Sequence, residues 1–444
     1  MASAPTERGD SGAVENAVDH ALHHLIDADS DGALSWSAAR VADQPDDVVA
    51  ALLCARILGA RGRTEAAVAG LRAVATLAIE AGNLAVAVAA CCEQRALGED
   101  AASQYAAVAA AFSRGSPRLA PRPAAPPAMG PPAAVTELPR EGLIEAAEKA
   151  LAKVRERAVA SDPTQPVGPQ LLFSSLDAVG LQAMIEVFEV SYVASGSVLI
   201  QQGTVGSEAF VVVRGELDVR REKDGEEFIL LARLGAGALF GEMALLSRAP
   251  RAASVIASRP SIVLVATQAA LDAVAEKQPQ VGVEFAAHCR GRMVSNLVRT
   301  SSLFEAIDAN ERLSLMYRFV TRTYEKGQRL ITQGQQTDGL HLIASGEVEV
   351  RYQDAEGETL HLADLSVGDV VGEMGLVLRR PANADVLAKV PTITLHLPRD
   401  GFFDLVKEHP AVLGQLYALA VRRDEETTSL VAQEASSAED CLLL

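Results

Sequence analysis

Aromatic residues make up only 4% of this 444-residue chain, with a single tryptophan. Alanine is abundant instead, which favours helix. Cysteine is sparse: Cys54, Cys91, Cys92, Cys289 and Cys441 form an odd, scattered set. That excludes a disulfide framework, and no C-x-x-C pair offers zinc ligands. Positive charge is short, since 40 Lys and Arg against 58 Asp and Glu leave −18. Sequence-independent binding of nucleic acid needs clustered cations that displace counterions, so no nucleic-acid partner is expected. The longest uncharged apolar helical run is about 81–92, too short to cross a bilayer. The opening MASAPTERGD lacks an apolar stretch, so no secretory signal is expected. The reading is a soluble, cytoplasmic chain with no membrane partner. Gly-x-Ser-x-Gly, P-loop and catalytic-histidine patterns are missing, so an enzyme is not expected. His23-His24 and Cys91-Cys92 are adjacent pairs that diverge by about 100° on a helix, so no metal site is expected.

At roughly 100–200 residues per domain the length predicts two to four domains, and 49% hydrophobic residues can build cores. Residues 1–113 read as an all-α, repeat-like domain. Val48, Leu52, Leu53 and Ile57, then Val68, Leu71, Val74 and Leu77, recur at helical spacing. Gly59, Gly62, Gly82 and Gly98 mark helix ends, with Asp46, Thr64 and Asn83 as starts. Gly62 to Gly98 is 98 − 62 = 36 residues, two helices per unit. This resembles a tetratricopeptide-type array, a common protein-docking scaffold, although the aromatic signature of that repeat is lacking. The alternative is a bundle that only packs. Asp27-x-Asp29-x-Asp31-Gly32 begins like a calcium loop. Its twelfth position is Ala38 rather than Glu, so it reads as a helix start. Residues 114–140 form a Pro/Ala-rich linker, and 141–162 an amphipathic helix with the stripe Leu143, Ile144, Ala147, Leu151 and Val154.

From 170 onward glycines punctuate short β-rich runs, and an internal repeat needs no gaps. Phe173 maps to Phe304 (304 − 173 = 131), and the same offset takes Gly196 to Gly327, Gly203 to Gly334, Gly215 to Gly346 and Pro250 to Pro381. Such a constant offset means two copies of one domain. Regular short strands with turns predict a β jelly roll in each, with helices at 268–278, 281–300, 401–408 and 411–432. The domains are 163–297 and 298–432, followed by a tail at 433–444.

The first copy holds Phe240-Gly241-Glu242-Met243-Ala244-Leu245-Leu246, then Pro250-Arg251-Ala252-Ala253-Ser254-Val255. Gly241 allows close backbone approach. Glu242 to Leu246 can open a short helix whose free N–H groups face an anion. Arg251 offers a planar fork to a phosphate. Glu242 can accept from a ribose hydroxyl, and Ala252 and Ala253 leave their amides accessible.

This stretch closely resembles the phosphate-binding cassette of the cyclic-nucleotide-binding domain family, F-G-E-x-A-L-L followed by P-R-A-A-[TS]-V. The resemblance covers about 170–430 and implies tandem jelly rolls with flanking helices. It implies that Arg251 binds the exocyclic phosphate oxygens, Glu242 the ribose 2′-OH, and the backbone of Gly241, Glu242, Ala252 and Ala253 the rest. The binding set expected from the cassette is Phe240, Gly241, Glu242, Met243, Ala244, Arg251, Ala252, Ala253 and Ser254. Ala252 cannot offer the hydroxyl that favours guanine in guanosine-selective relatives, so cAMP is expected over cGMP. Met293, Leu297, Phe304 and Tyr317 are candidates for the purine cap.

The second copy reads Val371-Gly372-Glu373-Met374-Gly375-Leu376, then Pro381-Ala382-Asn383-Ala384-Asp385-Val386. Ala382 replaces the arginine. Losing a bidentate charged partner costs about 2–5 kcal/mol, roughly 30- to 4000-fold in affinity. Asp385 is expected to repel phosphate further, with Arg379 and Arg380 as alternative cations. This copy is expected to be empty and structural, as a docking surface or lid.

The fold class expected is thus α+β multidomain, helices first and two tandem barrels after. The function expected is a non-catalytic cyclic-nucleotide sensor signalling to a protein partner through its N-terminal helices, with residues 281–300 as hinge and a homodimer left open. The alternative is a ligand-independent scaffold. The layout resembles the regulatory subunit of cyclic-AMP-dependent protein kinase. However, 114–140 carries only the isolated Arg114, Arg118, Arg122 and Arg140, not an Arg-Arg-x-Ala/Ser inhibitor site. The ending Cys441-Leu442-Leu443-Leu444 fits a prenylation signal, but the acidic Glu439-Asp440 before it argues against use.

Overall fold

Side-chain caps set the first helices. Asn16 accepts from the amides of Val18 and Asp19 at 3.1 and 3.2 Å, and the Asp19 carboxylate returns to the Asn16 amide, a capping box that starts α1 (Ala17–Ile26). Asp29 caps α2 (Ser30–Asp43), Asp47 rather than Asp46 caps α3 (Val48–Ala60), and Asn83 caps α5 (Leu84–Ala96). Between them lies α4 (Thr64–Glu80), and α6 (Ala102–Phe112) follows. Gly62, Gly82 and Gly98 end their helices with positive φ. Gly59, expected at an end, lies inside α3. A Cβ there would come within 2.7 Å of Leu97, so this glycine serves helix packing. This computed structural model describes residues 16–120, 136–170, 172–223, 227–247, 250–300, 307, 315, 318–354 and 356–442.

The helix expected as a separate element at 141–162 is α7 (Leu143–Val159), and it is a member of the bundle. Its stripe of Leu143, Ala147, Leu151 and Val154 is buried against α2, α3 and α4. The start of the Pro-rich segment is tied to the loop after α7 by a short parallel bridge between Leu119 and Val167, in which the Ala120 amide donates to the Val167 carbonyl at 3.0 Å.

The first barrel is entered through α8 (Ala178–Ile185). Its strands are β1 (Glu189–Val193), β2 (Val198–Ile200), β3 (Glu208–Arg214), β4 (Leu217–Lys223), β5 (Glu227–Leu234), β6 (Leu239–Phe240), β7 (Ser254–Ala257) and β8 (Ser261–Thr267). They make two antiparallel sheets, ordered β1-β8-β3-β6 and β2-β7-β4-β5. The short α9 (Glu242–Ser247) interrupts them, and α10 (Gln268–Lys277) and α11 (Pro279–Thr300) follow.

The second barrel repeats this with β9 (Val320–Tyr324), β10 (Arg329–Ile331), β11 (Gly339–Ser345), β12 (Val348–Gln353), β13 (Thr359–Leu365), β14 (Val370–Val371), α12 (Glu373–Val377), β15 (Asp385–Ala388) and β16 (Thr392–Pro398). Its sheets are β9-β16-β11-β14 and β10-β15-β12-β13. The pairing register is shared: Phe210 faces Val265, and His341 faces His396, each 131 residues later. The helices α13 (Arg399–Glu408) and α14 (Pro410–Leu442) close the chain. Helix α14 runs through the tail expected from 433.

The helical domain does not stand apart from the barrels. One continuous core joins α1–α7 to the outer face of the first barrel, from Leu22 and Leu53 through Phe188 to Val211 and Leu264. Polar contacts stitch the same seam. The Tyr192 hydroxyl donates to Glu93 at 2.7 Å, and the Arg56 guanidinium lies 4.3 Å over the Tyr192 ring. Asp19 is paired with Arg214 at 2.6 Å and also with Arg259. Burial pushes the Asp19 carboxyl up, but the two arginines outweigh it and hold it below its ordinary value.

Helix α11 begins with Pro279 in its first turn, where the missing N–H costs nothing. Val281 is buried in the core shared with the bundle, while Met293 and Leu297 are buried in the core of the second barrel. Among the described residues no helix is long and apolar enough to cross a membrane.

Candidate functional site

Gly241 opens the first cassette at φ +80°, and a Cβ there would meet the Glu208 carbonyl at 2.9 Å. Only glycine therefore lets the chain turn from β6 into α9 against β3. Arg251 arrives from the other side of the cassette. Its amide donates to the Thr204 carbonyl at 2.8 Å, which fixes the loop. Its side chain is turned inward: Nη2 donates to the Glu208 carbonyl at 2.8 Å and Nη1 to the Gly241 carbonyl. Gly206 makes this possible, because a Cβ on it would fall 2.1 Å from Arg251 Nε. The residue is only 7% exposed. Burial lowers its pKa, opposed by Glu208 and Glu242. A buried guanidinium held by backbone carbonyls is a cation short of an anion.

Glu242 is also buried. Burial raises its pKa, while Arg292 and Arg251 pull it down. Its carboxylate lies 3.2 Å from Arg292 Nη1 on α11, and the same nitrogen donates to the Leu239 carbonyl. The bridging helix is thus wired to the cassette carboxylate. Arg292 lies outside the cassette motif, yet the repeat marks it: 292 + 131 = 423, and Arg423 pairs with Glu373 at 2.7 Å and donates to the Val370 carbonyl at 2.7 Å.

The expected nine residues divide in two. Gly241, Glu242, Arg251 and the backbone of Ala252 and Ala253 border one cassette. Phe240 instead stacks on Phe210 inside the barrel, ring centroids 5.0 Å apart. Met243 packs toward the core of the second barrel. The Ser254 hydroxyl accepts from the Gln202 amide at 2.9 Å, a clamp between β7 and the turn after β2. Ala244 is on α9, and its side chain lies outside the described residues, as do Phe304 and Tyr317. Met293 and Leu297, the other candidates for the purine cap, are core residues of the second barrel.

The second cassette keeps the backbone and changes the chemistry. Gly372 has φ +90°, and its Cβ would meet the Gly339 carbonyl at 2.6 Å, as in the first copy. Ala382 stands for Arg251, and Thr337 stands for Gly206 (337 − 206 = 131). Thr337 fills space next to the lost guanidinium, and its buried hydroxyl has no hydrogen-bond partner. Asp385 was expected to repel phosphate. Instead it accepts from the Gln333 amide at 2.7 Å, the role of Ser254, and is neutralised by Arg329 at 3.2 Å. Arg380, weighed as a substitute cation, pairs with Asp424 on α14. Asn383 donates to the same Asp424 at 3.0 Å, so α14 closes over a cavity of about 770 Å³ lined by Thr337, Glu373, Ala382 and Arg423.

The cyclic nucleotide-binding domain family matches residues 190–278 and again 321–409. A cAMP-dependent protein kinase regulatory subunit from Blastocladiella emersonii is 30% identical over 223 residues, which are 50% of this chain and 53% of the relative. Another, from Yarrowia lipolytica, is 30% identical over 236 residues, 53% of this chain and 59% of the relative. The co-crystal structure of the regulatory domain of Toxoplasma gondii PKA with cAMP shares 24% identity, covering 57% of this chain and 92% of that one at a TM-score of 0.29. The chain spans about half the length of the curated relatives it matches.

Proposed function

Because the chain carries two cyclic nucleotide-binding domains in tandem, we propose that it is a non-catalytic sensor that binds one cyclic nucleotide, cAMP in preference to cGMP, in the first barrel. The observation that carries this reading is Arg251. Its guanidinium lies buried beside Glu242, held in place by carbonyls and by the room that Gly206 leaves. The phosphate takes Arg251 and the ribose hydroxyl donates to Glu242. The second barrel, with Ala382 and Thr337 at the matching places, takes no phosphate. Relatives named as regulatory subunits of cAMP-dependent protein kinase support a regulatory role through a protein partner.

The signal leaves through α11. Glu242 already belongs to Arg292 on that helix. A ribose hydroxyl that shares the carboxylate changes the hold on Arg292, and the helix connects both cores. Ligand shifts this equilibrium only by its differential affinity for the two helix positions. The partner then reads the helical bundle on the face not consumed by the barrel.

Calorimetry on the full chain tests the reading. One site per chain is expected, tighter for cAMP than for cGMP. Arg251→Ala is expected to weaken it roughly 30- to 4000-fold, the equivalent of about 2–5 kcal/mol. No heat from either nucleotide, or two equal sites, would overturn it.

A further inference from the structure

The interior of the second barrel holds a polar cluster that the cassette does not use. His341 on β11 and His396 on β16 are cross-strand partners, 0% and 2% exposed, and Asp338 stands at the mouth beside them. Asp338 Oδ1 lies 3.5 Å from His341 Nε2 and 3.3 Å from His396 Nε2, and the three ligand atoms all fall within 4.8 Å of one another. Both Nε2 atoms are buried without a hydrogen-bond partner. These separations exceed the usual N–H···O range of about 2.7–3.2 Å. The two Asp–His separations match the edge of a tetrahedron: zinc bonds of about 2.0–2.2 Å place neighbouring ligand atoms about 3.3–3.6 Å apart.

The surroundings orient these atoms. His341 Nδ1 lies 3.2 Å from the Thr394 hydroxyl, a contact that can occupy that nitrogen and leave Nε2 facing the cluster. Arg322 Nη1 donates to Asp338 Oδ2 at 2.7 Å, so Oδ1 is turned toward the histidines. Gly339 leaves room, since a Cβ there would sit 2.5 Å from His396 Nε2. Asp338 is about half exposed, which gives an entry path and room for solvent ligands. Burial lowers both histidines, His341 to about 4, so they are neutral at neutral pH.

The first barrel shows what this place holds without the cluster. Subtracting 131 gives Ser207, Phe210 and Val265 for the three, with Ser191 and Val263 for Arg322 and Thr394. Phe210 and Val265 are ordinary packing in the barrel interior. Two histidines, their carboxylate and both supporting groups stand together in one copy. We propose that Asp338, His341 and His396 bind a divalent transition metal such as Zn²⁺ in the second barrel, completed by solvent. The sequence reading assigned no metal ligands here.

Metal analysis of the full chain after dialysis against low micromolar Zn²⁺ tests this. About one zinc per chain is expected, with a higher melting temperature in its presence. His341→Phe with His396→Val, the residues of the twin barrel, is expected to weaken binding by more than about 100-fold, since changes even outside the ligand shell cost about 10–100-fold. If that pair fails to fold, Asp338→Ser at the half-exposed position supplies the same readout. Cobalt(II) absorption in the visible, bleached by either variant, reports nitrogen and oxygen ligation. Wild-type chain that retains no zinc, or variants that retain as much as wild type, overturns the proposal and leaves a buried imidazole pair. Neither outcome bears on nucleotide binding in the first barrel.

Discussion

The two barrels share their register, their cassette glycines and their buried glutamate–arginine pair, yet they differ at two coupled places. In the first, Gly206 faces Arg251; in the second, Thr337 and Ala382 stand at the matching positions. The exchange is concerted: where the guanidinium is lost, a β-branched side chain takes up room. The difference teaches that the second copy is repacked rather than merely damaged. Its ion pair between Glu373 and Arg423 survives, as does a cavity under α14.

The largest effect should come from moving one side of that exchange into the other barrel. Gly206→Thr forces a side chain onto Arg251 Nε, and nucleotide affinity in calorimetry should fall as far as in Arg251→Ala, at least about 30-fold. Unchanged affinity would mean that Gly206 is not the floor under the guanidinium. Next, Ala382→Arg together with Thr337→Gly should create a second titratable nucleotide site. Ala382→Arg alone should give no such site in the same titration, because Thr337 still holds the place that Gly206 leaves open in the first barrel. Comparable is the loss from Arg292→Leu, about 1–3 kcal/mol, because it strands a buried carboxylate.

That third effect has a pH signature. The Glu242 pKa is raised by burial, so the charged form is penalised in the folded state above that pKa. The cost of Arg292→Leu should be full above that raised value and fade as pH falls through it. A flat profile would remove Glu242 from the pair. The smallest effect separates the barrels by their neighbours. Tyr192→Phe removes the hydrogen bond to Glu93 in the seam between the bundle and the first barrel, at about 1 kcal/mol. The pH behaviour of Asp19 in that seam runs the other way. Its lowered pKa gives stability that is present above its unfolded value and lost as pH falls through the folded one.

Much of this was legible in the chain. A gapless offset located both jelly rolls and the missing arginine, because a repeated fold repeats its spacing. The same subtraction pairs Arg292 with Arg423 and Gly206 with Thr337, but these lie outside the cassette pattern and were not read. The histidine cluster escaped for a different reason. Metal-ligand motifs announce themselves at short spacing, whereas His341 and His396 are 396 − 341 = 55 residues apart and meet only through strand pairing. The fusion of bundle and first barrel was not legible at all. Asp19 and Arg214 are 195 positions apart, and nothing local announces their contact.

Helix α11 spans 22 residues, about 33 Å at 1.5 Å per residue. Its two ends are rooted in different hydrophobic interiors, so it works as a lever arm with the cassette near its middle, where Arg292 grips Glu242. A tilt of about ten degrees around that grip swings the two tips by roughly 3 and 2 Å in opposite senses, on arms of about 20 and 12 Å. It also makes the halves inseparable by scissors. A cut after Leu297 would strip a hydrophobic strut from the downstream barrel and leave Met293 and Leu297 bare on the upstream fragment.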